Sequence, residues 1–465
     1  MAFAYLKYND KSMEFQLPEF VIEILNKFSQ KGYEIYIVGG AVRDLLTGRL
    51  VDDWDFTTNA TPQEILKLFP DGHYDNQFGT VGISLPSSPN PYEITTFRKE
   101  FGYSDSRRPD RVEWGKTLKE DISRRDFTIN AMALQITNHK SPVTRLIDAF
   151  GGQKDLDKKI IRTVGDANDR FSEDALRMMR AIRIAAELGF TIEEETLEAI
   201  KKSAGLINKI AKERIKEELF KILASPNPYE GILIFRNAGL MEQILPELEK
   251  CFGVEQKSPG RHHIYDVGTH LLMSFKACKS SDPLVRFGTL IHDIGKPQTY
   301  KKLESGVITF YNHEVISTKI ARNIADRLRL SNKESEKLIT LVRRHQFTVD
   351  ERQTDSAIRR FIRNVGKENI ADMLELRVAD RLGGGARETS WRLEEFKRRL
   401  IEVQKEPFTV RDLKIGGNDV MKQLNLKPGP KVGEILNTLF DEVVNKKLEN
   451  EKKALIKRLR EIKLS

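Results

Sequence analysis

Cysteine is nearly absent: Cys251 and Cys278 are the only two in 465 residues. That is too few for a disulfide framework and fits a reducing compartment. No run of about twenty apolar residues exists, which excludes a helical membrane span. The N-terminal stretch "MAFAYLKYNDKSMEF" carries charges throughout and lacks the apolar core of a signal peptide. A cytoplasmic protein is therefore expected. Negative charge is in deficit, with 68 Asp and Glu against 77 Lys and Arg, a formal net charge of +9. Such a balance permits a polyanionic partner without selecting one. The length exceeds one comfortable hydrophobic core, so several domains are expected.

What is present concentrates first at Tyr36–Pro62, "YIVGGAVRDLLTGRLVDDWDFTTNATP". The apolar run Ile35–Val38 ends abruptly at Gly39 and reads as a buried strand. Gly39 and Gly40 allow a turn and a close approach of ligand to backbone. Ala41–Leu46 resumes as a short helix that Gly48 can close. A helix start offers N–H groups to an anion, and Arg43 adds a planar cation suited to phosphate oxygens. Asp53, Trp54 and Asp55 lead into Phe56 as a strand, so the two carboxylates point to one side. Paired carboxylates repel unless a cation lies between them. Mg²⁺ takes one or two carboxylates plus substrate phosphates, and Asp53 and Asp55 are its expected ligands.

Further motifs follow in order: "RRDFTINAMAL" (Arg124–Leu134), "IDAFGG" (Ile147–Gly152), "EDALRMMRAIR" (Glu173–Arg183), "ERIKEEL" (Glu213–Leu219) and "LKPGPKVGEIL" (Leu426–Leu436). The ordered set resembles class II tRNA nucleotidyltransferases, the CCA-adding enzymes and their bacterial poly(A) polymerase relatives, within the polymerase β-like superfamily. The resemblance covers nearly the whole chain. It implies an α+β fold: a nucleotidyltransferase head with a small mixed sheet at 1–150, an all-α neck at 151–225, a helical body of HD type at 226–385 and a helical tail that binds tRNA at 386–465. It implies partners too, namely the tRNA 3′ end, CTP and ATP, with no membrane and no obligate protein partner.

Nucleotidyl transfer needs an activated hydroxyl, a polarised phosphate and a neutralised leaving group, which two metals about 4 Å apart can serve. The superfamily uses a third carboxylate on a neighbouring strand, and Glu93 in "YEITTFR" is the candidate. Gly40 and Arg43 are expected at the triphosphate, joined by Arg125 on the family pattern; Arg124-Arg125-Asp126 can alternatively be a structural ion-pair cluster. Asp174 and Arg177, three apart on an expected helix, are neighbours on its surface. Acceptor and donor together match the Watson–Crick edges of cytosine and adenine, and mispair with uracil and guanine. Arg180 and Arg183 continue that helix toward the nucleotide on the family pattern. The competing reading is ordinary helix salt bridging, Glu173 with Arg177. The segment Lys99–Asp121 resembles the flexible loop that complete CCA-adding and A-adding enzymes keep. Phe69–Leu85 lacks the basic stretch typical of poly(A) polymerases, which favours tRNA 3′-end addition. The alternatives are an A-adding enzyme or poly(A) polymerase, or a tRNA-binding protein whose HD unit is the only catalyst.

Six of the eight histidines lie in the second half, at 262, 263, 270, 292, 313 and 345. His270, His292-Asp293 in "LIHDIGKP" and Asp380 in "RVADR" match the HD-domain pattern, with His313 and His345 where such phosphohydrolases add ligands. Imidazole and carboxylate suit Mn²⁺, Fe, Ni²⁺ or Zn²⁺. The resemblance implies a phosphohydrolase or phosphodiesterase.

Strands are expected at Ile35–Val38, Val81–Leu85 and Tyr92–Arg98, and nearly continuous helix from about residue 155. Phe171–Leu188, Thr191–Ser203 and Glu213–Leu223 show helical spacing. Breaks fall at Ser225–Pro228, Lys257–Gly260 and Gly383–Gly385. The amphipathic, lysine-rich stretch Val443–Leu464 reads equally as a solvated helix or a phosphate-contacting arm.

Overall fold

The computed structural model describes residues 15–74, 78–84, 91–103, 109–136, 144–256, 264–347, 350, 352–404, 410–445 and 447–462. His262, His263 and parts of the 69–85 and 99–121 segments lie outside the described residues. The chain forms two compact units, Met1–Glu249 with Arg327–Arg329, and Lys250–Asp326 with Leu330–Ser465.

The first unit is built on a six-stranded mixed sheet. Its strands are β1 (Ile35–Val38), β2 (Asp55–Thr58), β3 (Thr80–Ile83), β4 (Tyr92–Thr96), β7 (Met132–Ile136) and β8 (Thr144–Asp148). The hairpin β5 (Arg98–Phe101) and β6 (Arg111–Trp114) forms a separate pair. The sheet order is β3-β4-β2-β1-β7-β8, parallel only between β2 and β4. β1 is buried along its whole length, as a central strand of apolar residues must be. Tyr36, Val38, Phe97, Leu118, Ile122 and Ala133 form one cluster that packs the Leu118–Ser123 helix onto one face of the sheet. Val38 is in register with Asp55, so Asp55 shares that face, at the end where the helix stops and Arg124-Arg125 begin. A fully buried side chain such as Phe97 contributes about 3–5 kcal/mol against truncation to alanine.

The expected strand Tyr92–Arg98 is two strands. Phe97 leaves β4, donating its N–H to the Thr58 carbonyl at 2.7 Å and accepting from Gly115, and Arg98 then opens β5.

The expected helix Phe171–Leu188 is likewise broken, into Ala167–Glu173 and Leu176–Leu188. Asp174 is extended (φ −139, ψ 103), and its Oδ1 accepts the N–H of Leu176 at 3.0 Å. Aspartate competes with the helix for nearby backbone donors in this way. Gly189, left-handed at φ 69, ends the second helix. Thr191 and Ile192 then pair in parallel with Ile160 and Ile161, so the next helix starts at Glu194 rather than Thr191. The helix over "ERIKEEL" runs Lys212–Ala224.

Among the described residues, the second unit has helices and one small hairpin, Lys301–Lys302 with Ile308–Thr309. Within it a tail cluster of Leu413, Ile415, Val420, Leu439, Phe440, Leu455 and Leu459 forms its own core. Val443–Leu464 is not one helix: Pro430–Val444 ends there, and a new helix spans Lys452–Glu461. Among the described residues, no helix is long and apolar enough to cross a membrane.

Candidate functional site

Asp55 and Glu93 open the inner strands β2 and β4, and Asp53 precedes β2 close enough to act on both. Asp55 stands in register with Glu93 across the parallel β2–β4 pair, which sets both side chains on the same face. Asp53 lies two residues earlier, separated by the buried Trp54. Glu93, whose direction the sequence left open, therefore joins the pair. Burial pushes the Asp55 carboxyl up to about 6, helped by Asp53 and Glu93 and opposed by Arg125. The Glu93 carboxyl is also raised, by desolvation and then by Asp53. Three carboxylates held together, with Asp55 and Glu93 at a cost to their ionisation, form a donor set for a hard cation.

Gly39, which the sequence marks with Gly40 for a turn and a close ligand approach, stands against Asp55 and Arg125. It sits at φ 73, and a Cβ there would lie 2.8 Å from Asp55 Oδ2 and 3.1 Å from Arg125 Nη1. The backbone is thus pressed between an acid and a base. Gly40 opens the helix Gly40–Leu46 beneath the Arg43 guanidinium. Arg43 is already engaged, donating to both oxygens of Asp44 at 2.9 Å and to Asn130 Oδ1 at 3.0 Å. Arg124 is the structural member of its pair: it donates to Asp121 at 2.7 Å and Glu100 at 3.2 Å. Arg125 differs. Its Nε is buried without a hydrogen bond, and Asp121 is 3.8 Å from its Nη2, leaving donors for an incoming anion.

Asp174 and Arg177 are not neighbours on one continuous helix, because Asp174 caps the break between two. Asp174 Oδ2 accepts from Arg214 at 3.1 Å, so "EDALR" is tied to "ERIKEEL"; Arg214 had no signal beyond its motif. Arg177 donates to the Glu173 carboxylate, to the Arg170 carbonyl and, at 3.2 Å, to the Arg124 carbonyl. The salt bridge with Glu173 exists, and Arg177 also touches the segment that carries Arg125. Arg180 donates to Asp126 Oδ2 at 2.7 Å. Burial raises the Asp126 carboxyl, but Arg180 and Arg177 outweigh it and hold it at about 2. Asn130 links this pair to Arg43, donating to Asp126 at 3.4 Å. Arg183 turns the other way, to Glu218 at 2.7 Å and Glu187 at 3.0 Å. It joins the Leu176–Leu188 and Lys212–Ala224 helices.

The second unit carries a buried cluster drawn from five helices. His270 Nε2 is 3.5 Å from Asp293 Oδ2 and 3.2 Å from Asp380 Oδ1. His292 Nε2 is 3.4 and 3.5 Å from the same two oxygens. His313 and His345 face the other oxygen, Asp293 Oδ1, at 3.1 and 3.3 Å. Asp293 thus lies between two donor sets. The Nδ1 atoms of His292, His313 and His345 lie 2.7–2.8 Å from backbone carbonyls three residues back, which aims each Nε2 inward. His292 Nε2 and Asp293 Oδ1 are buried without a hydrogen bond, as a cation-binding set would be. Burial opposes ionisation throughout, yet mutual attraction drives the His292 imidazole up to about 10 and the Asp293 and Asp380 carboxyls well below the usual range. Lys296, missed in the sequence, lies 2.5 Å from Asp293 Oδ2 and donates to Gln256 at 2.9 Å.

Residues 35–162 match the family described as "Poly A polymerase head domain", 189–252 "Probable RNA and SrmB- binding site of polymerase A", and 307–459 "tRNA nucleotidyltransferase domain 2 putative". A CCA-adding enzyme of Lactococcus lactis is 32% identical over 445 residues, covering 95% of this chain and 97% of the relative. The chain belongs to the CCA-adding enzyme family. A Lactobacillus gasseri CCA-adding enzyme is 45% identical over 224 residues, 48% of this chain and 54% of its own. The solved Bacillus stearothermophilus CCA-adding enzyme in complex with CTP aligns at TM-score 0.70 and 28% identity, over 96% of this chain and 98% of that one. The Thermotoga maritima enzyme complexed with tRNA shares the fold at TM-score 0.59 and 20% identity, covering 96% and 95%. Asp53, Asp55, Glu93 and Gly39 all lie within the stretch that matches the head-domain family, and Asp174 lies outside it.

Proposed function

We propose that this chain adds the CCA sequence to tRNA 3′ ends from CTP and ATP without a nucleic-acid template. The carrying observation is the register of Asp55 with Glu93 beside Gly39, which sets a carboxylate group against Arg125. Full-length similarity to CCA-adding enzymes supports the substrate assignment. Asp53, Asp55 and Glu93 would hold Mg²⁺, which when bound activates the 3′-hydroxyl and neutralises pyrophosphate. Arg125, with a donor to spare, orients the triphosphate. Gly39 and Gly40 let it approach the main chain. Asp174, steadied by Arg214, and Arg177 read the base edge, and Arg180 fixes the neck against Asp126. The head, neck, body and tail are assigned to 1–150, 151–225, 226–385 and 386–465, and the protein works in the cytoplasm. Asp53→Ala or Asp55→Ala should abolish incorporation while tRNA binding survives; near wild-type turnover would refute the ligand assignment.

The second cluster supports a further activity, a metal-dependent phosphohydrolase of HD type. His270, His292, Asp293 and Asp380 suit Mn²⁺, Fe, Ni²⁺ or Zn²⁺, and His313 with His345 supplies donors on the other side of Asp293. Bound metal would supply an activated water. The hydrolysis adds water at phosphorus, breaks the P–O bond to the ribose, leaves the proton on the ribose oxygen and releases phosphate.

A further inference from the structure

We propose that the hairpin at 300–312 is a stacking platform that delivers a single-stranded RNA 3′ end to the His–Asp centre. This rests on reading that centre as a phosphohydrolase. The hairpin leaves the centre just after Lys296 and returns to it at His313, so both of its ends are anchored on groups that face Asp293. Phe310 joins the parts. Its carbonyl is 2.8 Å from His313 Nδ1, its ring centroid lies 5.4 Å from Lys296 Nζ, and Tyr300 packs against it edge to face at 5.9 Å. Tyr300, although packed on the half-buried Phe310, is 39% exposed, and Tyr311 is 75% exposed. Asn312, left-handed at φ 61, reverses the chain between exposed Tyr311 and buried His313. Lys301 and Lys302 follow Tyr300 and are exposed, with Lys302 3.4 Å from Glu255.

Exposed rings and lysines on one hairpin are the chemistry of single-strand binding: the rings stack on any base and the ammonium groups follow the phosphates. A protein partner would instead call for a contiguous apolar face. A mononucleotide held by the buried centre would gain little from two rings and two lysines on the outside.

The test uses the full chain loaded with Mn²⁺ and two substrates, p-nitrophenyl phosphate and a five-nucleotide RNA with a 3′-phosphate and a terminal 2-aminopurine. Tyr311→Ala and Tyr300→Ala should each raise KM for the RNA roughly tenfold, the loss of about one stacked base. Kinetics on p-nitrophenyl phosphate should hold, and Tyr311→Phe should behave as wild type. The 2-aminopurine fluorescence should be quenched by wild type and recover in the alanine variants. Equal losses on both substrates, or none on either, would overturn the platform. If wild type hydrolyses neither substrate, the phosphohydrolase reading fails, and fluorescence still decides: quenching lost in Tyr311→Ala upholds the platform, unchanged quenching overturns it.

Discussion

Asp55 of β2 stands opposite Glu93 of β4 in the one parallel pair of the head sheet, which places a third carboxylate beside the Asp53–Asp55 pair. If these three hold the metal, Glu93→Gln should weaken Mg²⁺ dependence by at least the roughly 10–100-fold typical of outer partners of a metal. Titrating Mg²⁺ against incorporation rate checks it; an unchanged curve would leave Glu93 a rim residue.

Gly39→Ala should lose activity beyond its stability cost. The backbone, at φ 73 and ψ −142, costs a non-glycine residue roughly 1–3 kcal/mol, while the added methyl meets Asp55 Oδ2 at 2.8 Å and displaces the ligand itself. Urea denaturation beside single-turnover incorporation separates the two effects.

The motifs made the head legible because their chemistry depends on local spacing: a strand ending at Gly39, then alternating aspartates. Glu93 could not be oriented, since strand register depends on a partner distant in sequence. The break at Asp174 was hidden because helical apolar spacing persists on both sides of it, and only the cap onto Leu176 interrupts the backbone. Lys296 escaped for a related reason. Lysine after a helix reads as solvated, and only folding buries it against Asp293. The His–Asp order was readable, but the distribution of His313 and His345 onto the other oxygen of Asp293 was not.

Base selection should depend on the Asp174 junction. Arg177→Ala should cost about 1–3 kcal/mol of discrimination on a tRNA ending in CC, letting UTP or GTP compete, and Arg214→Ala should relax selection through Asp174 alone. Measuring kcat/KM for all four nucleotides tests both. A uniform drop with ATP preference intact would reduce these arginines to scaffold.

Asp126 makes a pH prediction. Its carboxyl sits at about 2, below the usual 3.8, so its contribution is present above about pH 4 and lost as pH falls through 2. The shift corresponds to on the order of 2 kcal/mol. Asp126→Asn should therefore lower stability at neutral pH and flatten the acid limb of the stability curve; an unchanged acid limb would show that Arg180 gains little from this pair.

The most direct test of the central claim offers tRNA ending before CCA, in C and in CC, with each nucleotide supplied separately. The account predicts C on the first two from CTP and a single A on the third from ATP. Addition of A only to the CC end, or runs of A on any end, would contradict it and assign the chain to A addition or polyadenylation.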